Sequence, residues 1–209
     1  MMQFQIEKTN LSNIRTVEAE KPAIGSDEVL LKVERFGLSA NNVTYAVAGD
    51  TLGYWQFFKP EGDSSEGWGV MPVWGFAEVI ESAVDEVPIG ERLFGYFPPA
   101  TYLKIKPTDI AEAHLFDGAE HRSQLPKGYN IYRRVAAEPG YSRAGDDTRM
   151  LLYPLYLTSF ALWDQMKEHD WYGAEQVILI SASSKTSIGL AYALQPEKQS
   201  VSIAGLTSS

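Results

Sequence analysis

Apolar and polar residues alternate most cleanly over residues 28–36 (EVLLKVERF), with Val29, Leu31 and Val33 on one side and Lys32 and Glu34 on the other. A period of two marks a strand with one wet face. Leu103 and Ile105 against Lys104 and Lys106 repeat the pattern over residues 102–106. Further strands are expected at 76–82 and 92–97, with one or two more in 1–22. Short strands separated by turn signals, all before residue 110, predict a small β-barrel. LSANNVTYAVAG, after Gly37, reads as a loop running into a short helix, and residues 59–69 (KPEGDSSEGWG) as a polar, glycine-rich loop. Periodicity fades over 107–149, where charges and glycines are dense. An elaborated loop region with short elements is expected there, since a wholly structureless loop of that length is uncommon.

The period changes after residue 150. Residues 150–167 (MLLYPLYLTSFALWDQMK) are expected to be helical after Pro154, with Leu155, Ser159, Leu162 and Met166 along one face. In QVILIS, residues 176–181, the run Val177 to Ile180 reads as a buried strand. A polar turn (181–187), a helix packed on a sheet (188–194) and a second strand (200–204) follow. The fold class expected is α+β to α/β, a β-barrel followed by one βαβ unit. A doubly wound sheet needs several more strands and helices, so the 209 residues are expected to hold one complete domain and the opening of another.

Composition narrows the function classes. The net charge of −9, from 18 basic and 27 acidic residues, argues against a nucleic-acid surface. The absence of cysteine removes disulfides, thiolate zinc sites and cysteine nucleophiles together. The N-terminus MMQFQIEKTN has no apolar signal-like stretch, and no 18-residue apolar run exists to span a membrane. A cytoplasmic protein without a membrane partner is therefore expected. His114, His121 and His169 are scattered and read as solvated, so no metal is implied.

A barrel, then a helix, then a strand–turn–helix–strand unit is the order found in the medium-chain dehydrogenase/reductase superfamily, and local sequences agree. DEVLLKVERFGLSANN resembles its early strand and turn. VPIGERLFGY resembles its x-x-G-D-R-V-x-G strand, with Glu91 for the aspartate, and LYLTSFALWDQM resembles its bridging helix, which begins near a threonine, here Thr158. The chain is particularly similar to an uncharacterised group of the zinc-free quinone oxidoreductase-like branch that carries the PLYLTSF and SASSKTSIGL phrases. The resemblance implies a GroES-like substrate and catalytic domain over 1–150. It also implies a bridging helix and the start of an incomplete dinucleotide-binding Rossmann domain over 151–209. Where zinc-dependent members carry cysteine and Gly-His-Glu, this chain has Ser39 and Gly75-Phe76-Ala77, side chains that cannot build a catalytic zinc site.

The resemblance also points to site residues. Counted back from Gly189, the glycine positions of G-x-x-G-x-x-G fall on Ser183, Thr186 and Gly189, so only the last glycine is retained, the one that allows close helix–strand packing. Ser183, Ser184, Thr186 and Ser187 offer hydroxyls to a phosphate, and Lys185 adds charge. The alternative is an ordinary polar turn with a helix cap. A P-loop is excluded, because Ser184 and Leu179 stand where its glycines belong. No carboxylate follows Ile203; Thr207 and Ser208 are neutral hydroxyls, which favours NADP(H) over NAD(H). Aligned on Gly49, Tyr45 matches a tyrosine of the quinone oxidoreductase-like pattern, with Asn42 nearby, while Tyr54 matches the active-site tyrosine of enoyl thioester reductases. A phenol with a pKa near 10 can donate a hydrogen bond or a proton to a developing enolate; the alternative is packing. Trp55, Phe57, Phe58, Trp68 and Trp74 line a slot for a flat ring or fill the barrel core, and Arg133 and Arg134 read as a solvated pair. The function implied is zinc-independent, NADPH-dependent reduction of small-molecule quinones or other conjugated carbonyls, in a monomer or homo-oligomer. The alternatives are a non-catalytic binding protein of the same ancestry or a fragment without independent activity.

Overall fold

In the computed structural model, which describes residues 1–197 and 200–207, the opening of the chain forms two antiparallel strands, β1 (Met2–Glu7) and β2 (Asn10–Glu18). The chain divides into two compact units, Met1–Asp147 and Thr148–Ser209. The first continues with β3 (Val29–Gly37), α1 (Ala40–Val47), β4 (Trp68–Gly69), β5 (Val73–Ser82), β6 (Arg92–Phe97) and β7 (Tyr102–Ile105). It ends with β8 (Pro107–Thr108), β9 (His114–Asp117) and β10 (Ile131–Arg134). A seven-stranded sheet runs in the order β7-β3-β5-β6-β10-β9-β8, and β2-β1-β4 form a second sheet, joined to the chain before β7 by a bridge from Gln3 to Ala100. Together they make a nearly closed antiparallel barrel.

Alternation becomes structure here. Val29, Leu31, Val73, Ala77, Val79, Leu93, Phe97, Ile105, Leu115 and Tyr132 pack as one buried cluster, each large side chain contributing roughly 1.5–3 kcal/mol on burial. The β3–β5 register shifts twice, between Leu30 and Leu31 and between Val33 and Arg35. At the second shift Gly75 passes so near β3 that a Cβ would lie 2.4 Å from the Arg35 carbonyl oxygen.

Residues 107–149 do more than loop, because they supply β8, β9 and β10 to the main sheet. Their strands are two to four residues long, and HLFD and IYRR of β9 and β10 do not alternate apolar with polar positions. The segment is organised by Arg122, which is 1% exposed. Its guanidinium donates to Asn130 Oδ1 (2.9 Å), Asp117 Oδ2 (2.8 Å), Tyr132 Oη (3.0 Å) and the Tyr129 carbonyl (2.8 Å). A buried charge is tolerated when it is paired and hydrogen-bonded this fully. Tyr132, wholly buried, has its phenol pushed up to about 12 by that burial, against the opposing pull of Arg122. Arg92 makes a second buried knot, donating to Asp146 Oδ2 at 2.8 Å and bonding Glu34 and Tyr141. Arg134 is not a solvated residue. It grips Glu91 at 2.5 and 3.1 Å, and that pairing explains a glutamate at this point of the chain.

The second unit takes up α2 (Asp146–Glu168) from its third residue, and the helix starts ahead of Pro154 and carries the proline inside it. The packed positions are Leu155, Ser159, Trp163 and Met166; Leu162, expected among them, is 42% exposed. Asp170 to Gly173 all adopt left-handed φ values, from 47° to 71°, and Trp171 is buried among Leu179, Leu190, Leu194 and Val201. Then come β11 (Gln176–Ile180), α3 (Lys185–Ala193) and β12 (Ser202–Leu206). β11 and β12 pair in parallel from Gln176–Ser202 to Ile180–Leu206. The expectation of a fully buried strand fails: Leu179 is buried, but Ile178 and Ile180 are 54% and 77% exposed. Leu179 packs with Leu190 of α3, whereas the alternate residues point to the other face.

Candidate functional site

Helix α1 begins with a reciprocal cap. The Ser39 hydroxyl accepts from the Asn41 amide, and Asn42 Oδ1 accepts from the Ser39 amide at 2.8 Å. Asn42 Nδ2 donates to the Pro72 carbonyl at 3.1 Å, and the side chain is buried. Both ends of the amide are engaged in holding α1 to the chain ahead of β5. Less than a turn on, Tyr45 is buried, and its hydroxyl accepts from Trp74 Nε1 at 3.3 Å. Burial raises its phenol pKa above the ordinary value.

Tyr54 opens a short 3₁₀ turn, Tyr54–Gln56, entered through Gly53 at φ 75°. Its ring lies 4.7 Å from that of Tyr45, and its hydroxyl is 3.3 Å from the hydroxyl of Tyr129. Tyr129 went unnoticed in the sequence because it sits in the weakly patterned segment, and only the tertiary fold brings it here. Tyr96 of β6 packs between them, 4.8 Å from Tyr129, 5.8 Å from Tyr45 and 5.2 Å from Trp74, centroid to centroid. Its buried hydroxyl finds no hydrogen-bond partner among the described residues, and burial drives its pKa far upward. The structure thus gathers Tyr45 and Tyr54 with two phenols not singled out in the sequence. Trp55, Phe57, Phe58 and Trp74 are buried around them, and Trp68 is half-buried under the Arg15 guanidinium, 4.0 Å from its centroid.

In the second unit the polar turn between β11 and α3 is built on hydroxyls. Ser181 takes φ 58°. Ser184 caps α3, accepting from the Ser187 amide at 3.2 Å and donating to Ser187 Oγ, which donates to the Ile180 carbonyl. The Ser183 and Thr207 hydroxyls lie 3.3 Å apart. Lys185 and Thr186 are the first two helical residues, whose amides precede the helix's own hydrogen bonds. Thr158 is exposed and donates to the Pro154 carbonyl at 3.1 Å, well inside α2. Ser208 lies outside the described residues. Gly189 does allow a close approach, though to a helix instead of a strand. A Cβ there would lie 2.8 Å from Ser159 Oγ, which itself donates to the Thr186 carbonyl at 2.7 Å. The donor set at this turn (hydroxyls, free-ended amides and one ammonium) suits a diphosphate.

His114 packs edge-on against Phe116, His121 Nε2 is 3.3 Å from the Phe57 carbonyl, and exposed His169 stacks on Tyr172. No group of three or more His, Cys, Asp or Glu among the described residues could hold a metal ion. No helix among them is long and apolar enough to cross a membrane.

A nearly closed antiparallel barrel followed by a helix and a βαβ unit is a GroES-like barrel leading into Rossmann-like elements, the fold shared with its structural neighbours. The chain belongs to the family described as "Protein of unknown function (DUF2855)", whose model matches residues 36–209. No curated protein matches it. Among solved structures it is similar to the CurF ER cyclopropanase of the curacin A biosynthetic pathway, at 13% identity and a TM-score of 0.57, over 99% of this chain and 54% of that one. The quinone oxidoreductase from Thermus thermophilus, solved also with NADPH, gives 14% and 0.52, over 100% and 54%. CurA from Vibrio vulnificus, in complex with NADPH, gives 11% and 0.55, over 100% and 52%. At such identities the likeness is one of fold. The chain spans about half the length of these structures.

Proposed function

We propose that this chain forms the barrel and first nucleotide-binding elements of a zinc-independent, NADPH-dependent reductase of quinones or other conjugated carbonyls. The observation that carries the reading is the hydroxyl-lined turn at the start of α3, where Ser183, Lys185 and two helix-terminal amides stand beside the Ser184–Ser187 cap. When bound, NADPH would supply hydride. The Ser183 and Thr186 hydroxyls, the Lys185 ammonium and the helix-terminal amides would hold its diphosphate, while Ser184 and Ser187, whose hydroxyl protons go to Ser187 Oγ and the Ile180 carbonyl, would shape the turn and Gly189 would seat α3 on α2. Thr207 and Ser208 would meet the ribose phosphate, and the absence of a carboxylate there favours NADP(H) over NAD(H). Thr158 would have its remaining oxygen lone pair available to the cofactor. Tyr54, a half-buried phenol of the cluster, would donate to the substrate oxygen, with Tyr45 packed against it and Asn42 holding the helix that carries Tyr45.

The test is NADPH binding and oxidation by the native protein purified from its source, with a quinone and enone panel. Tighter binding of NADPH than NADH and turnover reduced on the order of tenfold or more by Tyr54→Phe are expected, in line with acid–base contributions of about 10²–10⁴. A second reading, a non-catalytic binding protein, draws on Ser183 and Thr186 standing where a nucleotide turn usually has glycine. It is favoured if the protein binds a small ligand or partner while leaving NADPH unoxidised.

A further inference from the structure

We infer that Tyr129 is a positioning residue for Tyr54: its hydroxyl donates to the Tyr54 oxygen and stabilises the phenolate formed when Tyr54 gives up its proton. The role rests on the proposed function of Tyr54. In that step the Tyr54 O–H bond breaks and a bond from the proton to the substrate oxygen forms. NADPH supplies the hydride, and Tyr54 regains a proton from water.

Three features set Tyr129 apart from the other rings. Its hydroxyl is 3.3 Å from that of Tyr54, while the rings meet edge-on at 87° with centroids 5.9 Å apart, so contact is made at the oxygens and not by stacking. Its backbone is fixed, since the carbonyl of Tyr129 and the side chain of Asn130 both accept from the buried Arg122. Its ring is also wedged against Tyr96 and Phe57, at 4.8 and 5.5 Å. Tyr54 and Tyr129 both sit on three-residue 3₁₀ turns, Tyr54–Gln56 and Lys127–Tyr129, but only the second is tied to the buried Arg122 guanidinium, while the first is entered through a left-handed glycine. A phenol held this firmly can pre-set the direction of a neighbour's hydroxyl.

Burial, and after it the bond to Tyr54, raise the Tyr129 pKa, so Tyr129 holds its proton firmly at neutral pH. The titratable groups facing Tyr54 are Tyr129, Tyr45 of α1 and Tyr96 of β6, all neutral phenols near pH 7. The Arg122 guanidinium acts on Tyr96 of this cluster, against the effect of burial.

The experiment is an NMR pH titration of the intact protein labelled at the tyrosine ring carbon bearing oxygen, with the Tyr54 signal assigned by its loss in Tyr54→Phe. In Tyr129→Phe, which keeps the ring, the Tyr54 pKa is expected to rise by about 0.5–1 unit, a three- to tenfold fall in acid constant, the size of one lost hydrogen bond. Tyr45→Phe, which removes a neighbour in ring contact, is expected to leave that titration close to its original position. An unmoved Tyr54 pKa in Tyr129→Phe, or an equal shift in Tyr45→Phe, overturns the inference. In the NADPH assay Tyr129→Phe should lower kcat with KM little changed and move the alkaline limb of the kcat profile upward. Absence of turnover in the unaltered protein sinks the reductase reading alone, because the titration requires no cofactor.

Discussion

Tyr96 and Tyr132 are buried phenols on paired strands, and they answer differently to the loss of one oxygen. The Tyr132 hydroxyl donates to the Tyr96 carbonyl at 2.9 Å and accepts from Arg122. The Tyr96 hydroxyl has no partner among the described residues. Removing a satisfied buried hydroxyl orphans its partners and costs roughly 1–3 kcal/mol, whereas removing an unsatisfied one relieves a desolvation penalty. Urea unfolding should therefore find Tyr132→Phe destabilised and Tyr96→Phe neutral or more stable by up to about 1 kcal/mol. Equal losses in the two variants would contradict the hydrogen-bond assignment. At this scale the candidate site was half legible. Tyr45 and Tyr54 stand at positions matched through Gly49, but Tyr129 and Tyr96 join them only through folding of the segment around Arg122. Asn42 shows the converse, since Ser39 three residues ahead already spelled a helix cap, and the amide serves that cap.

Gly189 is better understood from the two helices it lets meet than from a nucleotide fingerprint. Ser159 of α2 and Gly189 of α3 touch where a Cβ would come within 2.8 Å of Ser159 Oγ and 3.3 Å of Ser159 Cβ. Gly189→Ala should overpack this contact and lower stability by about 1–3 kcal/mol. Adding Ser159→Ala removes the nearer atom, so the double variant should recover part of that loss, a coupling that a double-mutant cycle reads directly. Strict additivity would mean that the helices separate freely at this point. Elements marked by alternation or by a bounded apolar run were the legible ones: β3 runs within one residue of the expected 28–36, β6 runs over residues 92–97 as expected, and β7 ends one residue early. β8 to β10 escaped notice because β8 has two residues and the sequences of β9 and β10, HLFD and IYRR, do not alternate apolar with polar positions. In β11 the apolar run concealed which residues face α3, so burial on both faces was expected where the structure buries one.

Each of the two units has a core of its own, one centred on Val29, Leu31, Phe97 and Tyr132 and the other on Trp171, Leu179, Leu190 and Leu194. A unit with its own core can in principle unfold by itself. Calorimetry of the whole protein should then resolve two transitions, and two glycines allow each to be addressed. Gly75→Ala forces a methyl against the Arg35 carbonyl, where the clash is with backbone and cannot be relieved by rotating a side chain. Its cost should reach about 3 kcal/mol or more, and it should lower the transition of the barrel. Gly189→Ala should lower the other, by the smaller amount expected where a serine can shift. If either substitution moves both transitions equally, or only one transition exists, the two cores unfold as a single cooperative system. Separate movement would mean that substitutions in the tyrosine cluster report on the barrel alone and those in the serine turn on the βαβ unit alone. Losses of the proposed cofactor binding and proton donation could then be assigned to their own residues without one fold failing for the other.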